Sequence, residues 1–143
     1  MLEISSAFLS FLIRGNLSED EKERVREVYQ TYGKTEITKL VKRKKIMPFA
    51  ARTFCQCDID YDEWNNVLKD YRERNQNIIT FLDATYKMLH EHGVNKIFVS
   101  ENFGALLSAD EDIGLFTSGD IDNFSPITER DKIYKAMDAL GCL

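Results

Sequence analysis

The stretch that begins at Asp60 or Asp62 and reaches about Glu91 reads as one long helix, and it constrains this chain more than any other feature. Ile78, Leu82, Tyr86 and Leu89 recur at helical spacing, while Arg72, Arg74, Asn75, Asp83 and Lys87 can face water, so the helix should lie along the core. An aspartate suited to capping opens it and Gly93 closes it. A chain of 143 residues with only seven Gly and two Pro has few places to turn, which favours helices over a turn-rich all-β fold. With 43% hydrophobic residues it can fill one ordinary core, and a single domain over residues 1–143 is expected.

Four shorter helices should precede the long one over residues 1–92. Ile4, Phe8 and Leu12, with Phe11 beside them, form the apolar stripe of a helix over Leu2 to Ile13 that ends at Gly15. Ser18-Glu19-Asp20-Glu21 fits a capping box, in which the hydroxyl accepts from the amide three residues on and the glutamate returns to the cap amide. The helix it opens should run to about Tyr32. Thr35 can cap a third helix over Glu36 to Lys45, whose last turn carries Lys42-Arg43-Lys44-Lys45. There positive charge offsets the negative end of the helix dipole, and a polyanion site is the alternative reading of the same run. Pro48 suits the first turn of a fourth helix through Cys57.

From residue 93 the texture changes. Val94 to Val99 is β-branched and reads as a short buried strand. Asn102 to Ala109 reads as a short helix, Phe116 to Phe124 as a second strand broken by Ser125-Pro126, and Thr128 to Leu140 as a last helix with Ile133 and Met137 on one side. The expected fold is therefore α+β, with a helical part over residues 1–92 packed on a small sheet from a β-α-β-α unit over residues 93–143.

Asp and Glu outnumber Lys and Arg by 24 to 19, so the molecule as a whole repels nucleic acid and anionic membrane, and neither is an expected partner. The first fifteen residues lack a basic start and fail as a signal peptide, and no stretch approaches the length of a membrane span. Cys55, Cys57 and Cys142 are an odd number, which favours free thiols in the cytoplasm over a disulfide framework.

The chemically suggestive segment is Ser118-Gly119-Asp120-Ile121-Asp122. On a strand, Asp120 and Asp122 would project from one face and could share a divalent cation, the metal role that nucleotidyl transfer requires. Ser118-Gly119 before them allows close approach by a ligand, and Ser100 opens a helix whose free amides could receive phosphate oxygens. The plain alternatives are a solvated acidic pair and a Ser100 that only caps its helix. Asp58, Asp60 and Asp62 imitate a calcium loop, but Glu63 stands where Gly is needed and Lys69 where a bidentate Glu belongs. Cys55-Gln56-Cys57 lacks zinc-knuckle spacing. His90 and His92 do not share a helix face.

The run from Tyr71 to Phe124 resembles the polymerase-β-type nucleotidyltransferase superfamily, and most closely its poorly characterised bacterial branch with a helical N-terminal region. The residues that carry the likeness are Tyr86-Lys87-Met88-Leu89-His90-Glu91-His92-Gly93-Val94, then Ile97-Phe98-Val99, then Gly104-Ala105-Leu106-Leu107, then Ser118-Gly119-Asp120-Ile121-Asp122. The resemblance implies transfer of a nucleoside monophosphate from a nucleoside triphosphate to a hydroxyl acceptor. Asp120 and Asp122 would hold Mg2+ or Mn2+, and Ser100, Ser118 and Gly119 would contact phosphates. The chain departs from the family where Ser100-Glu101 replaces a Lys-Gly or Gly-Ser pair, and an Arg before the acidic strand has no counterpart among Leu115 to Ser118. A third carboxylate strand would begin about where these residues stop, and Glu129, Asp131 and Asp138 fall on a helix instead. Two expectations stay open: a nucleotidyltransferase completed by a further C-terminal segment, or a catalytically silent helical module that binds another protein.

Overall fold

A computed structural model describes residues 5–99, 112–117, 122–139 and 141. They form α1 (Ser6–Arg14), α2 (Glu19–Arg43), α3 (Met47–Gln56), α4 (Tyr61–Glu91), β1 (Phe98–Val99), β2 (Asn123–Phe124) and α5 (Arg130–Ala139), with 3₁₀ turns at Ile113–Leu115 and Ile127–Glu129. The chain divides into two compact units, one of Met1–Glu73 with Asp112–Thr117 and one of Arg74–Glu111 with Ser118–Leu143.

In the first unit the helix boundaries follow local chemistry. The Ser5 hydroxyl accepts from the Phe8 amide to open α1. At its end Gly15 takes φ 63° and ψ −169°, and a β-carbon there would lie 2.7 Å from Arg52 Nη2. Arg52 uses that space to donate to the Ile13 carbonyl at 2.7 Å, tying α3 to α1. The capping box at Ser18 forms as read, with Ser18 Oγ and Glu21 completing both reciprocal bonds. The second and third expected helices run on as α2 with a break at Gly33, whose φ of 75° and ψ of 155° only glycine adopts readily.

Both α2 and α3 end in six-to-one turns. Ile46 N–H reaches Val41 O while Lys45 N–H reaches Lys42 O; Ile59 N–H reaches Phe54 O while Asp58 N–H reaches Cys55 O. Lys45 and Asp58 hold the left-handed position, at φ 57° and 53°.

These turns fold α1, α2, α3 and the start of α4 around one core. Phe8, Leu12, Val25, Ile37, Val41 and Phe54 are fully or almost fully buried, and Trp64 and Leu68 join them from α4. Phe54 is central. Its ring meets Tyr29 edge-on at 5.0 Å and lies tilted against Trp64 at 4.9 Å, arrangements worth something beyond area burial.

The second unit has a smaller core of Leu89, Val94 and Ala136, with Tyr86, Met88, Ile97 and Ile133 packed on it. α4 closes here with Val94 N–H on Leu89 O and Gly93 N–H on His90 O, and the Leu89–Val94 contact supplies the hydrophobic partner of that turn.

The α+β expectation is overturned. Helix accounts for 76% of the described residues, and their strands are an antiparallel ribbon of two residues each, Phe98 opposite Phe124 and Val99 opposite Asn123. The chain is mostly helical. The expected strand from Val94 is cut to Phe98–Val99 because backbone groups before it are taken elsewhere. Val94 N–H closes α4, Asn95 N–H goes to the Glu129 carboxylate, and the Lys96 carbonyl accepts from the Ser125 hydroxyl. Of the other expected strand, Phe116 to Phe124, the described residues form β2 only at Asn123–Phe124, while Phe116 N–H returns to Ile113 O at the end of a 3₁₀ turn that Asp112 starts by accepting from Gly114 N–H. The expected helix over Asn102 to Ala109 lies outside the described residues.

Candidate functional site

Of the residues read as functional, Ser100, Ser118, Gly119 and Asp120 lie outside the described residues. Asp122 is described: it is solvent-exposed and directly precedes β2. An exposed carboxylate is the hard oxygen donor that Mg2+ takes. Among the described residues no group of three His, Cys, Asp or Glu side chains is placed to hold a metal ion.

The ribbon beside Asp122 is held by side chains of its own unit. Tyr86 Oη donates to Asn123 Oδ1, fixing β2 to the second half of α4. Ser125 Oγ donates to the Lys96 carbonyl at 2.8 Å, joining the two strand ends away from Asp122. Glu129 is nearly covered, receives Asn95 N–H at 3.1 Å and pairs with Lys132 at 3.2 Å. The Lys132 ammonium, aided by the Asn95 amide, holds the Glu129 carboxyl below its usual range. Glu129 therefore serves the backbone of the β1 approach.

Two polar constellations of the first unit carry no signal in the sequence. Tyr29 Oη donates to Asp60 Oδ2 at 2.9 Å and accepts from Trp64 Nε1 at 3.2 Å. Burial pushes the Tyr29 phenol up to about 12. A cleft of about 500 Å³ opens beside it, lined by Arg26, Gln30, Cys57 and Asp58 among others. Arg26 on its wall donates to the Cys57 carbonyl and to Glu23. Burial also raises the thiols of Cys55 and Cys57 above their ordinary range.

The second constellation is Arg72 with Asp112, which the helical pattern assigned to water and to a loop. Arg72 Nη2 reaches Asp112 Oδ2 at 2.5 Å and Nε reaches Oδ1 at 2.9 Å. Asn75, also expected to face water, is fully buried.

Comparison of the chain with protein-family models, with curated proteins and with solved structures gives no match.

Proposed function

We propose that the chain is a nucleotidyltransferase-like protein that uses Mg2+ or Mn2+ to transfer a nucleoside monophosphate from a nucleoside triphosphate to a hydroxyl acceptor, in the cytoplasm. The single observation that carries the reading is the register of the ribbon. Val99, the residue before Ser100, pairs with Asn123, the residue after Asp122. Val99 and Asn123, the ribbon residues next in sequence to Ser100 and to Asp122, are thus partners at one end of the ribbon. Asp120 and Asp122 are assigned the ion, and Ser100, Ser118 and Gly119 the phosphates. A bound divalent ion would stabilise charge on the transferring phosphoryl group. Free thiols at Cys55 and Cys57, and described helices none of which is long and apolar enough to cross a membrane, fit the compartment.

Calorimetric titration of magnesium-ATP and magnesium-GTP into the chain tests this, with an Asp120→Asn, Asp122→Asn variant as control. Binding that disappears in the variant is expected. Binding that persists there removes the site assignment, and no binding by the parent chain removes the reading.

A different observation favours a second reading, a catalytically silent helical module that binds another protein. Phe98 and Phe124 face each other across the ribbon at 64% and 61% exposure, and Phe81, Ile127 and Tyr134 are also exposed on the same unit. Aromatic side chains left in water are the usual anchors of protein contacts. On this reading a Phe98→Ser, Phe124→Ser variant loses association in sedimentation experiments while nucleotide binding is absent throughout. A variant that associates like the parent chain rejects it.

A further inference from the structure

Between Glu36 and Asp58 the chain holds no acidic residue and six basic ones, Lys39, Lys42, Arg43, Lys44, Lys45 and Arg52, although acids outnumber bases overall. Two of the six are occupied. Lys39 pairs with Glu36, and Arg52 donates to the Ile13 carbonyl. The other four are consecutive, all exposed, and among the described residues none has an acidic partner. Offsetting the α2 dipole accounts for Lys42 and Arg43 in its last turn. It does not account for Lys44 and Lys45, which lie past the helix end, where the effect fades. The four are consecutive in sequence, and the turn that closes α2 holds the last of them, Lys45, at φ 57°.

We propose that Lys42, Arg43, Lys44 and Lys45 form a binding site for the phosphate backbone of a nucleic acid, independent of base sequence and independent of the nucleotidyl-transfer reading. The acidic remainder of the molecule does not veto this. At physiological ionic strength charges more than about 8 Å away are largely screened, so a compact cationic run acts on a nearby phosphate by itself. A membrane surface fits less well, because stable anchoring by a basic run needs an apolar or lipid anchor beside it. The apolar neighbours Ile46, Met47 and Phe49 are already packed on the core of the first unit. A protein partner fits less well too, since the centres of protein interfaces are depleted of lysine. A phosphate backbone instead offers the repeating charge that four adjacent cations match.

The test is fluorescence anisotropy of the full chain with a labelled oligothymidylate of about twenty nucleotides, from about 50 to 200 mM salt. The logarithm of affinity should fall with the logarithm of salt at a slope of about −2 to −3, given roughly −0.7 for each phosphate neutralised on a single strand. A variant carrying Lys42→Gln, Arg43→Gln, Lys44→Gln and Lys45→Gln should bind roughly tenfold to a hundredfold more weakly, with a slope near zero. A variant of equal charge change at exposed positions elsewhere, Arg24→Gln, Lys69→Gln, Lys87→Gln and Lys135→Gln, should keep the parent slope. Single Lys42→Gln and Lys44→Gln variants, each losing about 0.7 of the slope with unchanged circular dichroism, keep the test valid if the fourfold variant misfolds. The proposal is overturned by absence of binding at the lowest salt, by equal losses in the two fourfold variants, or by binding to phosphatidylserine vesicles without binding to the oligonucleotide.

Discussion

Arg72 and Asp112 stand forty positions apart in sequence and meet in a two-point ion pair, both carboxylate oxygens of Asp112 accepting from one guanidinium. The pair secures the 3₁₀ turn at Ile113–Leu115, whose Leu115 enters the core of the first unit. Gly114 shows how closely the segment is seated, because a β-carbon there would lie 2.7 Å from Arg72 Cγ.

A double-mutant cycle on Arg72→Ala and Asp112→Ala, read by urea unfolding, should give a coupling of about 1 kcal/mol. Bidentate geometry raises the value and partial exposure lowers it, with 43% and 33% of the two side chains accessible. Asp112→Ala should cost more than Arg72→Ala, since Asp112 also accepts from Gly114 N–H at 2.8 Å. Equal single losses with no coupling would mean that the turn is held by Leu115 alone.

The same pair fixes a pH dependence. The Arg72 guanidinium holds the Asp112 carboxyl below its ordinary 3.8, so the folded state binds its proton later than the unfolded state does as pH falls. Its stabilisation is complete well above 3.8 and is lost as pH drops through that value towards the lower folded one. Urea midpoints of the parent chain and of Arg72→Gln should accordingly differ most near neutrality and converge as pH falls through 3.8 and below it. A gap that stays constant across this range contradicts the assignment.

Tyr29 behaves in the opposite sense. Burial lifts its phenol to about 12 from 10.0, so the unfolded chain ionises first and stability is lost as pH rises from about 10 to about 12. Tyr29→Phe removes this loss along with the hydrogen bonds to Asp60 and from Trp64. Near pH 7 the variant should be less stable by about 1–3 kcal/mol, because the buried Trp64 N–H loses its acceptor. Thermal melts at pH 9 and 11 should show the parent chain falling further than the variant.

What was legible in the sequence was chiefly what local chemistry decides. Ser18 and Glu21 are three apart and meet as a capping box; Phe8 and Leu12 share a stripe and are both buried; Gly93 follows the last periodic residue and ends α4. The expected sheet failed for a non-local reason. Val94 to Val99 has strand composition, but a backbone group of each of Val94, Asn95 and Lys96 is claimed by Leu89, Glu129 and Ser125, two of which lie about thirty residues away, and only Phe98–Val99 is left to pair. Helical phase alone assigns Arg72 to solvent, taking no account of a segment returning at residue 112 to pair with it, and the same phase gives no sign that Asn75 is buried. Of the candidate site, Asp122 is exposed beside β2, while Asp120, Ser100, Ser118 and Gly119 lie outside the described residues.

Backbone geometry at the end of α2 yields a prediction with opposite signs at adjacent positions. Lys45 occupies the left-handed region at φ 57°, where a side chain costs about 1 kcal/mol relative to glycine, whereas Lys44 is right-handed at φ −82° and ψ −4°. Lys45→Gly should therefore be stabilising by about 0.5 kcal/mol once the greater freedom of glycine in the unfolded chain is subtracted, raising the melting temperature by a degree or two. Lys44→Gly removes the same charge and gains nothing in return, so it should cost about 0.5–1 kcal/mol. Because both substitutions delete one lysine from the same cationic run, electrostatic relief contributes nearly equally to each and cancels in the difference. Melts that move in the same direction by the same amount would mean that charge, not backbone conformation, governs this turn.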